Sequence, residues 1–249
     1  MPCSNGSHER RFRQRLRPSR PVAQMMSWRL SQLHRTPGLV AVIVGVLTSA
    51  NAQQKIQLVD IKSVDPSIAV ELRYATSKNI AGHPFYPPKT PALVRPEVAQ
   101  CLFRAQRFLR RYQYSLKIWD AYRPPSVQAQ LWRAVSQNAY VADPHAGAGS
   151  MHSWGIAVDV TLLDSNYQPA SMPTDYDNFT PAAMWRYQGR DPAIRDHLRL
   201  LQVAMCNAGF YGLPSEWWHF MIGNWDKFLP PEEARRAVEM FQHQSERKS

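Results

Sequence analysis

Residues 53–249 predict an α+β domain, a small mixed and mainly antiparallel sheet packed with helices. Two observations carry this. Runs with the β-branched content of strands are mixed with runs of helical period, without the regular succession of a parallel βαβ sheet, and no repeat or low-complexity linker divides them. A chain of 249 residues can also bury one sizeable core.

The elements follow in order. "IQLVDI" (56–61) and "IAVELRYA" (68–75) read as strands. From Arg95 to Tyr112, the residues Val98, Cys101, Leu102, Ala105, Leu109 and Tyr112 recur at helical spacing, with arginines and glutamines opposite. "LKIWD" (116–120) is a short strand stopped by the prolines of "YRPP", and a second helix runs from Ser126 into Val135. "GIAVDVTLL" (155–163) is a strand. Ile194 to Ala208 is a helix capped by Gly209. "EWWHFMI" (216–222) is a final strand entered through the turn residues of "YGLPS", and Pro230 and Pro231 precede a last polar helix and a charged tail.

The formal net charge of +11 does not mark a nucleic-acid binder. Residues 1–52 carry eight arginines against the single acid Glu9, a net +7, which leaves +4 for everything after. No basic-aromatic stripe appears in the folded part. The arginines precede an apolar run from Leu39 to Leu47 that ends in Ala50-Asn51-Ala52, and together these read as a secretory signal peptide. The apolar run is too short for a membrane span. The arginine-rich region is long for a signal, so translation is expected to start at Met25 or Met26. The mature protein is then expected to begin near Gln53, as one domain in the periplasm or outside the cell, without a membrane anchor. Cys101 and Cys206 follow the cleavage point; such a compartment permits a bridge, and a buried free thiol at Cys101 fits equally well.

The chemistry concentrates in three stretches. In "SMHSWGIAVD" (150–159), strand alternation puts Ile156, Val158, Val160 and Leu162 on an apolar face and Asp159 on the other, beside Ala157 and Thr161. Gly155 supplies a tight turn that can bring His152 back over Asp159. A histidine and an aspartate at this spacing fit a metal site, and fit equally an ordinary turn running into a strand. In "SEWWHF" (215–220), His219 can be a third ligand and Glu216 a general base, since hydrolytic zinc sites use three histidine or carboxylate ligands and keep one position open. Positions three apart point to opposite faces of a regular strand, so this reading requires Glu216 in the turn after Pro214 and only His219 in the strand. In "WDAYRPP" (119–125), Arg123 at a proline-stiffened strand end can donate to a developing oxyanion, or be a surface salt-bridge partner. His83, His145 and His197 lack partners at fixed spacing, and His197 is expected on the surface. Trp217 and Trp218 are expected to pack, with Trp218 able to border a pocket.

Taken together, S-x-H-x-x-G-x-A-x-D at 150–159, E-W-W-H at 216–219 and D-x-Y-R-P at 120–124 resemble the zinc D-Ala-D-Ala dipeptidases of the VanX type. These belong to a larger group with D,D-carboxypeptidases and a hedgehog-like fold. The resemblance spans residues 55 to 229. It implies one zinc ion on His152, Asp159 and His219, Glu216 as general acid/base and Arg123 as stabiliser of the tetrahedral intermediate. It further implies that Ser150, and Asp177 in "MPTDYD", hold the substrate ammonium group, with Tyr86 near the pocket. The doubled tryptophan favours the dipeptidase branch, while Trp154 stands where dipeptidases often carry arginine. The implied substrate is the D-Ala-D-Ala dipeptide, and export implies scavenging or cell-wall turnover. The competing readings are a D,D-carboxypeptidase acting on peptidoglycan stem peptides and a non-catalytic zinc-binding module, although such a module would be expected to lack Glu216 or Arg123.

Overall fold

The computed structural model describes residues 56–135 and 140–229. The arginine-rich segment, the apolar run and the polar helix expected after Pro231 lie outside the described residues. The elements are β1 (Val59–Asp60), α1 (Ile61–Val64), β2 (Ala69–Val70), β3 (Leu93–Val94), α2 (Pro96–Arg110), β4 (Ser115–Asp120), α3 (Pro125–Ala134), β5 (Ala157–Leu163), α4 (Pro192–Asn207), β6 (Phe210–Leu213) and β7 (Glu216–Ile222). β1 and β3 form an antiparallel pair. The main sheet has the order β2-β4-β5-β7-β6, parallel only between β2 and β4. The mixed, mainly antiparallel α+β sheet expected from the sequence is the one observed. Among the described residues, no helix is long and apolar enough to cross a membrane.

The helices form where the pattern puts them. In α2, Val98, Cys101, Leu102, Ala105 and Leu109 are buried. Pro96 sits in the first turn, where its missing N–H is not needed. The chain leaves the helix before Tyr112, which is 49% exposed rather than part of the apolar stripe. In α4, the Asp191 side chain accepts from the N–H groups of Ala193 and Ile194, starting the helix two residues earlier than expected. The helices α2 and α4 pack on one another and on the sheet. Cys101 is a buried free thiol, so it is not bridged to Cys206; the Arg104 guanidinium donates to its Sγ.

Three strand expectations are corrected. "IQLVDI" keeps only Val59 and Asp60 as strand; at its end Asp60 caps α1, accepting from the Lys62 N–H, and Ile61 starts the helix. "IAVELRYA" likewise ends at Val70, and Arg73–Ala75 close into a 3₁₀ turn. Tyr211-Gly212-Leu213, expected as turn, is strand β6, and only Pro214-Ser215 link it to β7. A tryptophan ring holds that strand close: a Cβ on Gly212 would lie 1.8 Å from a ring carbon of Trp185.

β5 is buried along its whole length, at the centre of the sheet. Two irregularities in its neighbourhood re-aim side chains. Between β4 and β5 the pairing runs Ile118↔Val160 and then Asp120↔Asp159, so one extra residue, Trp119, is accommodated on β4. Without that bulge Asp120 would follow Ile118 onto the apolar face; with it, Asp120 stands opposite Asp159. Between β6 and β7 the pairing jumps from Gly212↔Phe220 to Leu213↔Glu216. Glu216 is therefore the first residue of β7 and not part of the turn. The irregular stretch through Trp217 and Trp218 breaks the alternation that would otherwise set Glu216 and His219 on opposite faces.

The turn before β5 is equally specific. Met151–Trp154 form a 3₁₀ turn that Gly155 closes in the left-handed region at φ 68°, its N–H donating to the His152 carbonyl. A Cβ there would lie 2.7 Å from Leu58 Cδ2. Gly155→Ala is expected to lower stability by about 1–3 kcal/mol. Urea unfolding should show a lower midpoint with an unchanged slope, and an unchanged midpoint would mean that the turn relaxes freely.

Candidate metal centre

His152, Asp159 and His219 converge at the end of the central strands. Asp159 on β5 pairs directly with His219 on β7, so their side chains are cross-strand neighbours. The 3₁₀ turn folds His152 onto the same spot. His152 Nε2 lies 3.2 Å from His219 Nδ1 and 3.4 Å from Asp159 Oδ1, and His219 Nδ1 lies 3.0 Å from that oxygen. Three atoms bonded at 2.0–2.1 Å to a tetrahedral ion stand about 3.3–3.4 Å apart, so the donor set fits a small divalent metal. All three residues are buried, at 3%, 2% and 6% exposure. They are a potential metal-binding group among the described residues.

The surroundings fix each ligand. The Ala121 carbonyl can only accept, so His152 Nδ1 donates to it at 2.8 Å, and the Nε2 lone pair is left facing the triad. Burial alone would raise the Asp159 pKa; the imidazoles of His152 and His219 outweigh it and hold the carboxyl well below the usual range. Its second oxygen, Oδ2, accepts from the Tyr176 hydroxyl at 2.8 Å.

Arg123 is buried, which corrects the alternative of a surface salt bridge. Its Nε and Nη2 both donate to Asp120 Oδ2, at 2.9 and 2.7 Å, and Nη1 donates to Gln128 Oε1 at 2.8 Å. The Tyr74 ring lies 4.6 Å from its guanidinium carbon. Nη2 is 4.0 Å from Asp159 Oδ2, which puts the arginine beside the triad with N–H donors to spare. Tyr86 is buried and donates its hydroxyl to Asp120 Oδ1 at 2.8 Å; it meets the counter-ion of Arg123 and not the triad.

Two further carboxyl groups face this cluster. Burial pushes the Glu216 pKa up to about 7, with the charges of Asp159 and Asp177 adding to the rise and His219 and Arg123 opposing it. Asp177 is also pushed up to about 7 by burial, against the Ile80 N–H that donates to its Oδ2 at 3.1 Å. Its backbone is left-handed, at φ 56°. Ser150 is buried, and its Oγ accepts from the His152 N–H, capping the 3₁₀ turn. Of the competing histidines, His83 and His145 are exposed. His197 is half-buried at the surface, where it is tied to Tyr114 and the Ser171 carbonyl. Trp217 and Trp218 are fully buried packing residues.

Sequence reasoning passed over Asp120, Gln128 and Tyr176. Asp120 lies inside the quoted "WDAYRPP", three residues before the arginine it holds. Gln128 sits in the first turns of α3 with no motif to mark it. Tyr176 immediately precedes Asp177 in "TDYD", where a buried phenol could have been read as a partner for a carboxylate.

Comparison with known proteins agrees with this geometry. The family described as D-Ala-D-Ala dipeptidase, peptidase M15, matches residues 54–242. The chain is 34% identical over 166 residues to the D-alanyl-D-alanine dipeptidase of Escherichia coli K12, covering 67% of this chain and 84% of that protein. It is 25% identical over 200 residues to the D-alanyl-D-alanine dipeptidase of Synechocystis, covering 59% and 78%. It is 26% identical over 171 residues to that of Enterococcus faecium, covering 61% and 84%. With this match over most of its length and a buried His-Asp-His cluster in its fold, the chain belongs to the D-Ala-D-Ala dipeptidase family of metallopeptidases.

Proposed function

We propose that this enzyme hydrolyses D-alanyl-D-alanine to free D-alanine with one zinc ion held by His152, Asp159 and His219. The observation that carries the reading is the convergence of three ligand atoms within 3.0–3.4 Å, with the buried Arg123 4.0 Å from Asp159. Bound zinc supplies a Lewis acid for the scissile carbonyl and a nucleophile at neutral pH. Glu216 takes the proton of the attacking water and returns it to the leaving amine. Arg123, fixed by Asp120 and Gln128, offers its remaining N–H donors to the oxyanion. Tyr86 serves this step indirectly, by holding Asp120. Asp177 and Ser150 are assigned to the substrate ammonium group, whose positive charge would draw Asp177 into its ionised form. A D,D-carboxypeptidase acting on stem peptides would use the same machinery. The relatives named as dipeptidases favour the smaller substrate.

We assign the chain to the periplasm or the exterior, as a single domain from about residue 53 acting in scavenging or wall turnover. The support is the segregation of eight arginines ahead of a short apolar run and an A-x-A exit.

Three outcomes follow. The zinc-loaded protein should release D-alanine from D-Ala-D-Ala, lose that activity to a chelator and regain it with zinc. Glu216→Ala should retain the metal yet fall by about 10²–10⁴ in kcat. Cleavage of a stem peptide but not of the dipeptide would transfer the chain to the carboxypeptidase reading. The second outcome concerns pH. Because folding raises the pKa values of Glu216 and Asp177 to about 7, the metal-free fold binds their protons more tightly than the unfolded chain does. That stabilisation is complete below the ordinary carboxyl range and is lost as pH rises through 7. Metal-free protein should therefore melt lower at pH 8 than at pH 5. Glu216→Gln should reduce the drop and raise the pH 8 stability by at least about 1 kcal/mol; a parallel pair of pH–melting curves would contradict this. Thirdly, protein recovered from cell fractions should be periplasmic with a new N-terminus near Gln53. An intact chain in the cytosol would overturn the export assignment.

A further inference from the structure

We propose that Tyr176 is a positioning residue of the metal centre: its hydroxyl holds Oδ2 of Asp159, so that the carboxylate meets the metal through Oδ1 alone. The inference rests on the metal reading above and adds a residue to it. The two oxygens of Asp159 face different surroundings. Oδ1 is the one within 3.0 Å of His219 Nδ1 and 3.4 Å of His152 Nε2. Oδ2 accepts from Tyr176 at 2.8 Å, and Arg123 Nη2 lies 4.0 Å from it. A carboxylate free to turn could chelate through both oxygens and fill a position that hydrolysis needs open. A hydroxyl donor on one oxygen removes that freedom.

Tyr176 is built to hold still. Its ring is buried among three others, with centroids 5.5 Å from Trp119, 5.7 Å from Trp218 and 5.8 Å from Tyr74. The backbone is tied on both sides. The Tyr176 N–H donates to Asp175 Oδ1, and the next residue, Asp177, accepts from Ile80 while in the left-handed region.

The test is Tyr176→Phe, which deletes one oxygen and leaves the ring packing. Zinc affinity is read by competition with a chromogenic chelator, and the coordination state by the visible spectrum of the cobalt(II)-loaded protein. The expected result is a metal Kd weaker by about 10–100-fold, with weaker cobalt bands as a second carboxylate oxygen enters the coordination sphere. Wild-type Kd and an unchanged cobalt spectrum in the variant would overturn the inference while leaving the metal reading intact. Failure of the parent itself to bind metal, or binding that His152→Ala does not weaken, would overturn both. If the variant lacks a cooperative melting transition, X-ray absorption of the zinc-loaded parent decides. A single oxygen from the carboxylate is expected, and a chelating carboxylate would overturn the proposal.

Discussion

The buried carboxylate of Asp159 is the constraint around which this end of the molecule is organised. An ionised group taken out of water is costly unless charges and hydrogen bonds replace its hydration. Asp159 sits on the central strand, so the replacements must come from elements on either side. His219 arrives from β7 by cross-strand pairing, His152 by the turn that precedes β5, and Tyr176 from the loop that follows it. A second fully buried carboxylate, Asp120, solves the same problem on the neighbouring strand with Arg123 and Tyr86. Each anion thus gathers the groups that the proposed reaction would use, so that compensation of the buried charge and the proposed catalysis call on the same residues.

Glu216 and Asp177 are treated differently. Both are desolvated, but neither has a guanidinium of its own, and both face other carboxylates. The cost of ionising them appears as raised pKa values near 7. Under the proposed mechanism this suits Glu216, because a group with pKa near the working pH can both accept a proton and give one back. The price is borne by the metal-free fold above neutrality. The site trades stability for readiness at two positions and secures it at two others.

Most of the architecture was legible in the sequence, and the residues show why. Helix α2 declared itself by five buried positions at one spacing, and β5 by an unbroken run of branched and small residues. The metal-ligating candidates were legible because histidine and aspartate stand at short spacings beside a glycine that must turn the chain. Capping and bulging were not. Asp60 ended a strand that the β-branched run predicted would continue, and Tyr211 to Leu213 formed a strand despite their turn-like composition, with Trp185 packed against Gly212. The Asp60 cap is a local bond that overrides strand propensity, whereas the Trp185 contact joins distant segments that local composition does not encode. The same holds for Tyr176 and Gln128, whose importance lies in what the fold brings next to them.

The β4 bulge at Trp119 carries a consequence for how such an enzyme can change over time. The face that Asp120 presents depends on its pairing with Asp159, which the bulge preserves despite one extra residue. Replacing Trp119 with a smaller apolar residue would loosen packing but leave the count intact. Removing it would let Asp120 follow Ile118 directly in regular pairing, which keeps Asp120 opposite Asp159 and its hold on Arg123 in place. Across related sequences a one-residue gap at the position of Trp119 should therefore leave this face of the site unchanged, whereas straightening the strand with all its residues kept would turn Asp120 into the apolar layer.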